Sequence, residues 1–177
     1  MRILKNIFIA LLSIIAILLI IALFVNKNYV VEKSININKP TSEIFNYIKY
    51  LKNQNEFSKW ALIDTAMLKT HTGTDATVGF TSAWDSKNDK VGKGQQAIKK
   101  ITEGKKIDYE IHFIKPFKSE MNSFLSTDSI GANQTLVKWN INGTSPYPLN
   151  LTNLFIDKMV GGDLEVGLTN LKNKMEK

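Results

Sequence analysis

The chain contains no cysteine. That excludes disulfides, thiolate metal ligands, a cysteine nucleophile and a lipid-modified cysteine anchor, and it leaves the compartment open. Histidine is nearly as scarce. His71 and His112 fall on different expected strands, and His112 is out of phase with the apolar face, so both are expected at the surface rather than in a metal site or as a general base. No H-E-x-x-H, G-x-S-x-G or phosphate-cradling glycine loop occurs; Gly92-Lys93-Gly94 is more simply a hairpin turn. No metal and no cofactor is expected. Acids are also few, 16 against 23 lysines and arginines, but the basic excess is spread as single residues and short pairs such as Lys99-Lys100 and Lys105-Lys106. A solvated surface accounts for it, with weak attraction to anionic lipid next, and nucleic acid is not an expected partner.

What the chain has in plenty is one long apolar run. Ile7 to Val25 is 19 uncharged residues with a single hydroxyl, Ser13, and as a helix it would span about 28 Å, enough to cross a bilayer. A cleaved secretory signal competes with this reading, but the run is longer than a usual signal core and ends without a small-x-small cleavage pattern. The expected layout is a short cytoplasmic tail (1–6), a transmembrane anchor helix (7–25) and one globular domain (26–177). Basic residues flank both ends of the run, so their count does not orient it. Retaining the short cationic tail in the cytoplasm is easier than exporting it, which puts the domain on the external or periplasmic side.

After the anchor the pattern alternates. Tyr29 to Asn38 reads as a strand, with Val31, Ile35 and Ile37 on one side. Beyond Lys39-Pro40, Thr41 or Ser42 can cap a short helix reaching Leu51, and Phe57 and Trp60 suggest a second helical piece. Six strands follow, roughly 68–72, 78–85, 95–102, 106–114, 119–129 and 134–143, separated by turn signals and expected to form an antiparallel meander. Val78, Phe80 and Trp84 share one side, as do Ile107, Tyr109, Ile111 and Phe113, and again Val137, Trp139 and Ile141. Asp108, Glu110, His112, Lys138 and Asn140 point away. In the strand at 95–102, Ile98 and Ile101 are out of period, which predicts a bulge or an edge.

The one-faced sheet needs a cover, and Asn150 to Lys177 supplies the amphipathic pattern for a long helix, through Leu151, Leu154, Phe155, Met159, Leu164, Leu168, Leu171 and Met175. Gly161, Gly162 and Gly167 interrupt it, each costing roughly 1 kcal/mol against Ala. Close backbone packing, a kink, or space left for a ligand would each explain them.

The order of elements, with Val31 to Pro40 followed by Ile44-Phe45, Phe57-Ser58-Lys59-Trp60, Gly92-Lys93-Gly94, Phe113 to Phe117, Val137-Lys138-Trp139 and Gly161 to Lys172, resembles the SRPBCC, START-like (Bet v 1-like) superfamily. The chain looks in particular like bacterial membrane-anchored proteins of the polyketide cyclase/dehydrase-like kind. Lys59 departs from the Pro that similar proteins often carry before the Trp. The resemblance implies an α+β helix-grip fold, an antiparallel sheet curled around a long C-terminal helix with a hydrophobic cavity between them, preceded here by one transmembrane helix. It implies no particular reaction.

On that frame the expected cavity lining is Trp60, Phe80, Trp84, Tyr109, Phe113 and Trp139, joined by Met159 and Gly162 of the covering helix. Ser82, Ser123 and Thr127 face inward by alternation, either to orient a ligand or as satisfied core hydroxyls. Asp85, Asp163 and Glu165 are the acids to watch at its rim, since a carboxyl with a raised pKa there could transfer a proton. The expected function is a membrane-anchored domain that binds or carries an apolar small molecule or lipid. The alternatives are a cyclase- or dehydratase-like enzyme and a non-catalytic interaction domain.

Overall fold

A computed structural model describes residues 1–177. The apolar run forms α1 (Arg2–Phe24), of which only Ala22 is buried. It has the length and composition of a membrane span, properties that a signal sequence shares. Then come β1 (Asn28–Ile37), α2 (Thr41–Ile48), a 3₁₀ turn (Leu51–Glu56) and α3 (Lys59–Ile63). The strands follow as β2 (Leu68–Thr72), β3 (Thr81–Asp85), β4 (Lys93–Thr102), β5 (Lys106–Lys115), β6 (Ser119–Gly131) and β7 (Gln134–Thr144).

The strands make one antiparallel sheet in the order β1-β7-β6-β5-β4-β3-β2, so the meander is present and the first strand lies beside the last. β4 is an interior strand. Its irregular period is a register shift between Ile98 and Lys100, the extra residue letting Ile98 bury fully while Ile101 still packs on the core.

Several expectations fail locally. β3 begins at Thr81 rather than 78, because Gly79 turns the chain at φ +92°, leaving Val78 exposed while Gly79 and Phe80 keep backbone bonds to Ile98. Neither Thr41 nor Ser42 caps α2; Pro40 occupies that place, and Thr41 Oγ1 lies 3.1 Å from Thr135 Oγ1 instead. α2 stops at Ile48, and the segment through Asn53 is a 3₁₀ turn. Asn140, expected to point into solvent, is buried and donates to Glu32 Oε2 at 3.2 Å.

The largest correction concerns the cover. Asn150 to Lys177 is not one helix but a 3₁₀ turn (Leu149–Leu154), a π-helical turn (Asp157–Gly161) and α4 (Gly162–Met175). Only Leu164, Leu168 and Leu171 of the expected stripe are fully buried; Leu154, Phe155 and Met159 are exposed. The face that packs runs through Ile156 and Val160 into Leu164, in steps of four. The chain before Leu164 is thus rotated by one residue from the expected stripe.

The glycines divide accordingly. A Cβ on Gly167 would come 2.6 Å from Trp139 Cζ3, and one on Gly161 would meet the Lys33 side chain, so both mark close packing. Gly162 has nothing near its missing side chain. α4 lies across β1 and joins a single core with Val31, Ile37, Phe45, Phe57 and Trp139.

Candidate functional site: a cavity under the C-terminal segment

Between the concave face of the sheet, α3 and the segment before α4 lies a cavity of about 270 Å³. Of the eight residues expected to line it, Trp60, Trp84, Phe113 and Trp139 do. Trp84 and Phe113 meet edge to face at 5.4 Å between ring centres, and Trp60 stands at 86° to Trp139 at 6.2 Å. Trp139 is itself closely packed, against Gly167 on one side and between Phe57 and Trp60 on the others. Phe80 and Tyr109 are instead buried in the core beyond its floor. Met159 is exposed, and Gly162 faces open space off the cavity. Both followed from the mistaken helix phase.

Residues that the sequence reading passed over complete the lining. Tyr29, Met121 and Ile141 extend the apolar wall, Ile156 and Val160 close it, and Gln54, Lys69, Lys90 and Gln96 supply polar groups. Simple alternation would have found Gln96, which shares its face with Ile98, and Lys69, which lies opposite Trp84. Of the inward hydroxyls, Ser82 and Ser123 reach the cavity and Thr127 does not. Ser123 already donates to the Asn140 carbonyl at 2.7 Å, so it is a satisfied hydroxyl.

The register locates the cavity along the sheet. Tyr29 is the second residue of β1, Met121 the third of β6, and Trp84, Phe113 and Ile141 lie close to the other strand ends on that side. This is the end where α1 enters. Asn150, fully buried, donates to the Ala22 and Val25 carbonyls at 2.7 and 2.8 Å, closing off the unpaired C-terminal carbonyls of α1. Asn153 does the same for Asn26 and Lys27, and Tyr147 Oη donates to the Leu19 carbonyl at 3.3 Å. Leu19 lies five residues before the end of α1, about 7.5 Å along its axis. Tyr147 therefore sits alongside the apolar helix rather than beyond it.

The acids watched at the rim are all ion-paired, and none lines the cavity: Asp85 with Lys93 at 2.6 Å, Glu165 with Lys33 at 3.2 Å, and Asp163 with Lys59, the residue that stands where Pro is usual. The hydrogen bond from Lys93 lowers the Asp85 pKa, opposite to what a general acid needs. No cluster of three or more metal-ligating side chains occurs.

His112 lies on the outer face between Glu110 (3.0 Å) and Glu120 (3.3 Å). The hydrogen bond to Glu110 raises its pKa. A folded-state value above the unfolded one gives stability that is full below about pH 6.5 and fades as pH rises through the folded value. The Tm gap between the protein and a His112→Gln variant should accordingly be wider near pH 5.5 than near pH 8.5. Equal gaps would contradict this pairing.

No protein-family model matches the chain, and no curated protein matches it by sequence. Solved structures do match. A truncated norcoclaurine synthase from Thalictrum flavum has a TM-score of 0.65 at 8% identity, over 84% of this chain and 93% of that one. A protein from Thermobifida fusca has a TM-score of 0.59 at 15% identity, over 82% and 91%. Ara h 8.0201 has a TM-score of 0.54 at 12% identity, over 81% and 97%. At such identities the likeness carries the fold and not the chemistry. The seven-stranded antiparallel sheet gripping α4 gives this chain the helix-grip fold of these START-like, Bet v 1-like structures.

Proposed function

We propose that the protein is a membrane-anchored helix-grip domain that holds an apolar small molecule or lipid between its sheet and its C-terminal segment. The observation that carries this reading is the cavity itself: 14 of its 22 lining residues are hydrophobic, which is the composition of a small-molecule site. Its volume lies just below the roughly 300 Å³ at which such sites begin. No Asp, Glu or His lines it, and the side chains there that could move a proton are Tyr29, Lys69 and Lys90.

The anchor reading rests on α1 and on what surrounds its end. Leu149, Leu154, Phe155 and Met159 are exposed on the segment that caps α1, beside a Tyr147 level with its last turns. Apolar groups and a tyrosine at that depth suit a bilayer interface. With the tail in the cytoplasm, the cavity end of the domain would then rest on the outer surface of the membrane. The protein should remain in the membrane pellet after an alkaline carbonate wash.

The test of the cavity uses the full chain in phosphatidylcholine nanodiscs, titrated with the neutral apolar probe N-phenyl-1-naphthylamine, with empty discs subtracted. Saturable binding at about one probe per protein, with quenching of tryptophan emission, is expected, because three tryptophans border the cavity. Ala61→Phe, which adds a ring to the lining, should weaken binding at unchanged Tm. A linear, unsaturable signal from the intact protein would remove the carrier reading.

A further inference from the structure

The charged groups of the cavity are of one sign. Gln54 and Gln96 each bury a side-chain Nε2 with no hydrogen-bond partner, and Gln54 is 8% exposed. The Tyr109 hydroxyl lies beside Gln54, yet the two close no hydrogen bond of good geometry. Lys69 and Lys90 also line the space and, unlike Lys59 and Lys93, pair with no carboxylate. The lining thus offers two ammonium groups, that of Lys90 from an exposed position, with the two amide donors buried behind its surface and no anionic side chain to answer them.

Lys69 and Gln96 belong to one inward face. Lys69 lies opposite Trp84 on β3, Ser82 lies one inward position further along that strand, and Gln96 lies opposite Ser82 on β4. Residues directly opposite share a face, so all four point into the concavity. Lys69 and Gln96 are two strand spacings apart, roughly 10 Å, a gap that their long side chains can narrow around one bound group. A buried donor left unpaired is costly, and an ionised acceptor forms the strongest bond to it.

We infer that the cavity takes an amphiphile with an anionic head group, a carboxylate or a phosphate monoester, held by the unpaired Lys69 and Lys90, with its apolar body against the tryptophans and Met121. This rests on the holding function proposed above and adds a sign of charge to it. A neutral chain would leave both lysines without a counter-charge, and a cationic one would meet like charge.

The experiment uses the full chain in phosphatidylcholine nanodiscs loaded with cis-parinaric acid, displaced by palmitic acid, hexadecyl phosphate, 1-hexadecanol or hexadecylamine. The partition of each competitor into empty discs is measured and subtracted. Palmitic acid or hexadecyl phosphate should displace the probe at concentrations at least tenfold below 1-hexadecanol, with hexadecylamine weakest. Whichever of the two anions is stronger identifies the head group. A Lys69→Met/Lys90→Met variant of unchanged Tm should lose most of that preference. If 1-hexadecanol or hexadecylamine competes as well as the anions, the charge inference is wrong and the holding function stands. If neither cis-parinaric acid nor the neutral naphthylamine binds, both readings fail.

Discussion

Cutting the chain before Gly162 is expected to abolish folding of the sheet domain. α4 contributes Leu164, Leu168 and Leu171, each 1% exposed or less. Burying each such side chain is worth about 1.5–3 kcal/mol, so together they supply an amount comparable with a typical total stability of about 5–15 kcal/mol. The cut also uncovers Trp139 and Phe57, which meet at 5.6 Å under the helix, and strands Lys59 without Asp163. A milder form of the same loss, Leu168→Ala, should cost about 2–5 kcal/mol through the cavity it leaves. Thermal unfolding followed by tryptophan emission reads both. A truncated chain with an unshifted cooperative transition would mean that the sheet does not need its grip.

Gly167→Val should be the most damaging single substitution among the glycines of the covering segment. Its Cβ would stand 2.6 Å from Trp139 Cζ3, and Trp139 is itself wedged between Phe57 and Trp60, so the ring has little room to retreat. Overpacking of this kind costs about 1–3 kcal/mol, and the β-branched side chain disfavours the helix further. Since Trp139 also walls the cavity, probe affinity should fall together with Tm. Gly162→Ala is the counterpart. With open space at its Cβ and helical backbone angles, it should gain up to about 1 kcal/mol and leave binding unchanged. Urea unfolding of the two variants separates them; equal destabilisation would contradict the account of how the segment packs.

The sheet was legible from the sequence because period-two alternation leaves little choice: Ile107, Tyr109, Ile111 and Phe113 alternate in β5 and Val137, Trp139 and Ile141 in β7, and all but the half-buried Phe113 are buried. Even the bulge in β4 left its mark, as Ile98 and Ile101 out of step. The segment after β7 was not legible, because two stripes compete there. Phe155 and Met159 form one, Ile156 and Val160 the other, and local spacing does not rank them. What decides between them is Asn150, whose side chain is committed to the end of α1, a contact 125 residues or more away in sequence. Trp84, Phe113 and Trp139 were read from sheet alternation and line the cavity, as does Trp60 of α3; Phe80 and Tyr109, read the same way, are core, and Met159 and Gly162 depended on the helix phase and do not line it.

The polar side of the site escaped for a different reason. Gln54, Lys69, Lys90 and Gln96 are all ordinary surface residue types; alternation marks Lys69 and Gln96 as inward, while Gln54 and Lys90 lie outside the strands and have no spacing to set them apart. Only the fold reveals that they share a concavity without an acid among them, as the aromatic residues reveal its walls.

The central claim is that the space under the C-terminal segment is occupied by a molecule and is not merely loose packing. Native mass spectrometry of the full-length protein, purified from its own membranes and released from a mild detergent, measures this directly. The account predicts a population carrying a single small-molecule or lipid adduct, greatly reduced in an Ala61→Trp variant of unchanged Tm. The bare mass alone in the unaltered protein, unchanged after incubation with a molar excess of palmitic acid, hexadecyl phosphate or 1-hexadecanol, would contradict it.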